Sequence, residues 1–294
     1  MGGSTYSLAD RTSRASAMNF ASAPMDQTFT QQKEQRAHKD MLPEGIVLRE
    51  ACDSEVHPNT VPVQLWLDVT GSMREIPHQL IWNGLPKMIS KIIESGVPDV
   101  ALMFGAIGDH ECDRYPLQVA QFESGDAELD MWLSRTYLEG GGGGNGGESY
   151  LLAHYFAGSH TRTDSFFKRH RKGIVITVGD EPPLKYLPNS AIKTIMGDTA
   201  VTSPNGKWTA KELLDFAQSE NYVYHIHIDH NYRLHQDWKD LLGQQVICVK
   251  DSNTLPDVIA DIVLKHSRML AEPETLKEAV ENNVAMTPKT EIIL

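Results

Sequence analysis

Apolar runs bounded by glycine, proline and aspartate recur along the chain, and between them the apolar positions change to helical spacing. The run Val61–Asp68 (VPVQLWLD) leads into VTGSM. Val63, Leu65, Leu67 and Val69 share one side, with Val61 and Trp66 helping to fill the other. A segment apolar on both sides suits a strand buried in a parallel sheet. Val100–Ile107 (VALMFGAI), residues 172–178, residues 222–228 (YVYHIHI) and Val246–Val249 read as further strands. Residues 115–122, with Leu117, Val119 and Phe122, follow VALMFGAI after a short loop, which predicts a hairpin.

Helical spacing fills the intervals. Ile76, Leu80, Leu85, Met88, Ile92 and Ile93 predict a helix over 74–95. Pro77 fits its first turn, whereas Pro86, beside Gly84, should kink or break it. Helices are also predicted over 127–138, with Leu129, Trp132 and Leu133 inward, and over 148–157, 209–219 and 254–270. Strands alternating with helices predict a doubly wound α/β fold, a mostly parallel six-stranded sheet with one antiparallel edge strand. Residues 185–207 form a long connection with one short helix near 192–196, placed as a lid or a partner-specific insertion.

The flanks lack such patterning. Residues 1–42, rich in Ser, Thr, Ala, Gln and charge, read as a flexible arm that orders against a partner, with a short helix over 31–40. Residues 44–50 read as an edge strand, and Arg49, Glu50, Asp53 and His57 as a solvated loop. The division is therefore an arm and edge segment over 1–58, a domain over 59–271 and a second flexible tail over 272–294. That tail ends in TEIIL, apolar enough to dock on a sheet edge or a partner.

Composition narrows the classes. A net charge of −12 argues against a nucleic-acid backbone as the main partner. Three widely spaced cysteines, Cys52, Cys112 and Cys248, suggest a reducing compartment. No long apolar run spans a membrane, and the N-terminus lacks the apolar core of a signal peptide, so a cytoplasmic location is expected.

The chemistry gathers where strands end. Asp68, Thr70 and Ser72 follow the first core strand, at the edge where open α/β sheets bind ligands. Such oxygens suit a hard cation, Mg²⁺ or Mn²⁺. Thr70 and Ser72 equally suit helix capping. The helix N-terminus behind them disfavours a cation, so other loops must add carboxylates or the site would prefer an anion. Asp109, Asp180 and Asp229 each follow a predicted strand and would share that rim, with Glu181 beside them. Residues 140–147 hold seven glycines and Asn145. No Lys-Ser/Thr pair follows, which argues against a Walker A loop and for a backbone that passes close to something. His225 and His227, on one strand face, with His230 and His235 offer a rival zinc reading, but no CxxC or HExxH accompanies them.

The strand and DVTGSM resemble the von Willebrand factor A domain, whose metal-ion-dependent adhesion site begins Asp-x-Ser/Thr-x-Ser. The likeness covers roughly residues 60 to 270. REACDSEVHPN, PLQVAQFES, YLEGGGGGNGGESYLLA and VITVGDEPP look like a bacterial and phage branch of that superfamily. The resemblance implies the α/β sandwich, Asp180 as a second acid, and a glycine-loop ligand. The superfamily's threonine is missing from that loop, leaving Asn145 or Glu148, beside Ser149. It implies a protein-interaction module rather than an enzyme: a partner Asp or Glu would complete the ion's shell, in a bacterial or phage-infected cell, and an AAA+ ATPase is a partner by analogy. Two alternatives stand. One is a Mg²⁺-assisted hydrolase or phosphotransferase, with Asp109, His110 and Glu181 nearby but no nucleophile beside a base. The other is an assembly protein that oligomerises through its tails.

Overall fold

The structure, a computed structural model, describes residues 4–19, 22–73, 75–97, 99–141, 147–229 and 236–268. The central sheet is built from β1 (Val61–Asp68), β2 (Val100–Ile107), β3 (Leu117–Glu123), β4 (Gly173–Gly179), β5 (Asn221–Ile228) and β6 (Val246–Val249). Their order is β3-β2-β1-β4-β5-β6. Among the described residues only the β2–β3 pairing is antiparallel in this sheet. The doubly wound α/β sheet read from the sequence is therefore the one that forms. Strand order reverses between β1 and β4, so the crevice above their carboxyl ends is the topological switch point. Register places Leu67 opposite Val178, which brings the ends of these two strands level.

Each sheet face carries a helical layer. On one face Val63, Leu65, Leu67 and Val69 pack with α2 (Glu75–Gln79), α3 (Leu85–Glu94), α4 (Asp126–Ser134) and α9 (Leu255–Arg268). Val61 joins this face rather than that of Trp66, as strand alternation requires of an odd-numbered neighbour. On the other face Trp66, Val175 and Val223 meet α5 (Leu151–Ser159), α6 (Asn189–Met196), α7 (Ala210–Glu220) and α8 (Gln236–Leu242). Pro86 does not break its helix. A π turn, Leu80–Gly84, joins α2 to α3, and Pro86 sits in the first turn of α3, where its missing N–H is least costly. Helix α5 begins three residues later than its pattern suggested, because residues 148–150 are held in the site described below.

Four expectations change. Residues 4–19 and 22–42 lie on the domain rather than awaiting a partner. Helix α1 (Leu8–Ala17) packs on α4 through Arg11, 1% exposed, whose Nε donates to Asp130 (3.1 Å) and whose Nη2 donates to the Ile81 carbonyl. Phe29 and Met41 are fully buried in the first core. Second, Arg49–Ala51 does not edge the main sheet; it pairs in parallel with Thr161–Thr163. Third, Asp53 and His57 are not merely solvated: Asp53 accepts from Thr60 (2.7 Å) and pairs with Arg169, and His57 is buried against the Ser4 carbonyl (2.9 Å). Fourth, the 185–207 connection is packed on the domain rather than loose. Its α6 and the antiparallel pair Tyr186–Pro188 and Lys207–Thr209 bury Leu187, Ile192 and Met196 in the second core. The tail beyond residue 268 lies outside the described residues.

Candidate divalent-cation site

At the end of β1 the carboxylate of Asp68 is completely buried. Its Oδ1 accepts from the Thr70 N–H (2.9 Å) and the Thr70 hydroxyl (2.6 Å), closing a tight turn. Its Oδ2 accepts from the Tyr150 hydroxyl (2.6 Å). Further out, the exposed Ser72 hydroxyl donates to Asp180 Oδ1 (2.9 Å), at the end of the adjacent β4. Asp68, Thr70, Ser72 and Asp180 thus converge at the switch point, with Ser72 and Asp180 on the solvent side.

The glycine-rich stretch approaches by its backbone. The Gly71 N–H donates to the Gly141 carbonyl (2.7 Å), and the Gly140 N–H to the Val69 carbonyl (3.2 Å). A Cβ on Gly71 would stand 3.3 Å from both the Gly140 and Gly141 carbonyl oxygens. At the far end of the loop, Glu148 bridges Pro183: its N–H donates to the Pro182 carbonyl (3.0 Å) and its carbonyl accepts from Leu184 (3.3 Å). One end of the loop is therefore tied to the turn after β1 and the other to the loop after β4. Asn145 lies outside the described residues.

The electrostatics are dominated by acids. Glu148 is 3% exposed, and its Oε2 has no hydrogen-bond partner among the described residues. Burial first, then the charges of Asp68, Asp109, Asp113 and Glu181, push its carboxyl up to about 9. Burial likewise lifts Asp68 to about 6, with Asp180 adding to the shift and the Thr70 and Tyr150 hydrogen bonds opposing it. Asp113 is raised too, by burial first and then by Asp109.

The remaining expected residues divide. Asp109, fully buried, accepts from the Glu111 N–H (3.0 Å) and from Ser149 (3.5 Å), so it shapes the loop after β2. Glu181 is exposed beside Asp180. Asp229 follows β5, two strands from β1, and its charge acts on Cys248. His225 stacks on Trp238 (3.6 Å between ring centres) and meets the Thr177 hydroxyl (2.9 Å); His230 and His235 lie outside the described residues. Asp113 and Tyr150 were not among the expected site residues. Asp113 had a faint signal, four residues after Asp109 in GDHECDR. Tyr150 had none, since it falls inside a stretch whose pattern predicts only a helix.

Does this donor set fit a divalent ion? Among the described residues no three His, Cys, Asp or Glu side chains are grouped so as to hold a metal. The convergent set is instead two carboxylates and two hydroxyls, a hard-oxygen set that leaves room for water. The fit rests on the buried Glu148 oxygen, unpartnered among the described residues, and on the carboxyls of Glu148 and Asp68, raised by burial first and then by neighbouring acids, an imbalance a cation would relieve.

No protein-family model matches the chain, and no curated protein does. Similar solved structures include the pilus adhesin SpaC from Lactobacillus rhamnosus GG (11% identity, TM-score 0.46, 72% of this chain and 31% of that one). Others are proximal thread matrix protein 1 from the mussel byssus (10%, 0.46, 74% and 49%) and a von Willebrand factor type A protein from Catenulispora acidiphila (16%, 0.37, 71% and 43%). The alignments span less than half the length of those chains. At such identities and scores they carry no argument about function. What stands on the strand order and the antiparallel edge is a doubly wound α/β sheet, the fold that the resemblance to the von Willebrand factor A domain implied. No described helix is long and apolar enough to cross a membrane.

Proposed function

We propose that the chain is a protein-interaction module whose contact is made through a divalent cation, Mg²⁺ or Mn²⁺, at the end of β1. The observation that carries this reading is the Ser72–Asp180 pair at the solvent side of the switch point, backed by the buried Asp68–Thr70 turn. Ser72 and Asp180 would hold the ion. Thr70 would contribute its hydroxyl, and Asp68 would supply charge directly or through a water. The ion supplies an open coordination position that accepts one oxygen of a partner's Asp or Glu. Glu148, in the loop from which the resemblance implies a threonine ligand, would ionise once the ion is bound and add negative charge. By analogy with the superfamily, an AAA+ ATPase is a partner class to try first.

Isothermal titration with Mg²⁺ and Mn²⁺ tests the ion. Binding is expected for the wild type and is lost in Asp180→Ala. Partner capture should disappear in EDTA and return with Mg²⁺. Capture that ignores EDTA, or no ion binding at millimolar Mg²⁺, overturns the reading. Turnover of phosphate esters that depends on Asp68 would replace it with an enzymatic one.

A further inference from the structure

Tyr150 is fully buried and lies under the site, not in it. Its hydroxyl donates to Asp68 Oδ2 (2.6 Å) and accepts from the Glu181 N–H (3.4 Å). One oxygen atom thus joins the end of β1 to the loop that carries Asp180. The Glu181 peptide is held from a second direction, because Trp238 Nε1 donates to its carbonyl (3.0 Å). The Tyr150 ring is wedged edge-on against Trp238 and His225, each 5.3 Å away between ring centres. Gly179, immediately before Asp180, leaves the space that the hydroxyl occupies; a Cβ there would collide with it.

From this juxtaposition we propose that Tyr150 is a positioning residue for the cation: it sets the separation of Asp68 and Asp180 across the switch point and aims the second oxygen of Asp68. The inference rests on the proposed ion site. Ligands are commonly oriented by such hydrogen bonds from behind, and their loss weakens metal binding about 10–100-fold. Thr70 cannot substitute, since both its N–H and its hydroxyl are spent on the other oxygen of Asp68.

Tyr150→Phe keeps the ring packing and deletes the hydroxyl. The Mg²⁺ dissociation constant of the folded variant, measured by isothermal titration beside the wild type, is expected to rise about 10-fold or more. Gly179→Ala keeps the hydroxyl but displaces it, and should weaken Mg²⁺ binding as well. A purely structural tyrosine would lower the melting temperature and leave the dissociation constant of the folded variant unchanged. Variants that bind Mg²⁺ within twofold of the wild type overturn the proposal. If the wild type binds no Mg²⁺, the interaction reading fails by itself, and amide hydrogen exchange in metal-free protein decides the role of Tyr150. The Glu181 amide should then exchange faster in Tyr150→Phe while the Val175 and Ile176 amides do not. Unchanged Glu181 exchange overturns the proposal in that case too.

Discussion

A carboxyl group such as that of Glu148 is stable in a buried place only when it is neutral or when a cation stands beside it. Its folded-state value of about 9, against an ordinary 4.5, means that the unfolded chain releases this proton at lower pH than the folded one. Its contribution is therefore fully present below about pH 4.5 and is lost progressively as pH rises toward 9. Glu148→Gln removes the ionisation and keeps the shape. In EDTA the variant should melt higher than the wild type, by a margin that widens from pH 5 to pH 9. A margin constant with pH would sink this account of Glu148. Residues of this kind differ in how far the sequence announces them. Asp68, Thr70, Ser72 and Asp180 are legible because strand ends and local spacing mark them. Tyr150 is not, because its role comes from chain segments far away in sequence, and Asp113 is only faintly so, marked by Asp109 four residues earlier.

At the scale of elements, the sheet and the helices of the domain were legible because their apolar positions follow a period of 2 or 3.6. The N-terminal helix α1 was not. It meets α4 through charge: Arg11 pairs with Asp130, and Arg14 with Asp126 (2.6 Å) and Asp130 (2.8 Å). A helix whose inward face is arginine reads as solvated, and so does the acidic face it covers. Arg11 also satisfies the Ile81 carbonyl within the π turn that leads into α3. Removing one partner of a buried ion pair costs about 3–5 kcal/mol when the remaining charge is stranded. Here Arg14 still serves Asp130, so Arg11→Met should cost about 2–3 kcal/mol, near or below the lower end of that range. Urea unfolding monitored by circular dichroism measures it. An unchanged midpoint would mean that the clasp of α1 on α4 contributes nothing. Deleting residues 1–19 should cost at least as much as the single substitution, since it strands both aspartates.

For the whole molecule, stability is squeezed from both ends of the pH scale by groups in different places. His154, fully buried in α5 with neither ring nitrogen hydrogen-bonded among the described residues, is pushed down to about 4 by burial. His266, stacked on Tyr222 and bonded to the Tyr224 hydroxyl (2.8 Å), is pushed to about 4 by burial and then by Lys265. Both are held neutral, so they favour the folded state above about pH 6.5, and that advantage is lost as pH falls toward 4. Asp68 and Glu148 act in the opposite sense. Their raised values favour the folded state at low pH, and this is lost as pH climbs toward 6 and 9 respectively. Metal-free protein should therefore be most stable in mildly acidic solution and decline on both sides. A divalent cation at the proposed site would touch only one of these limbs. Its binding would draw Asp68 and Glu148 toward their charged forms and add a stabilisation that grows as RT ln(1 + [ion]/Kd), about 2.7 kcal/mol at 100 times Kd. Thermal melts from pH 4 to pH 9, with EDTA and with saturating Mg²⁺, should superimpose on the acid side, where His154 and His266 rule, and separate increasingly on the alkaline side. Curves displaced by the same amount at every pH would mean that the ion binds somewhere other than among these carboxylates.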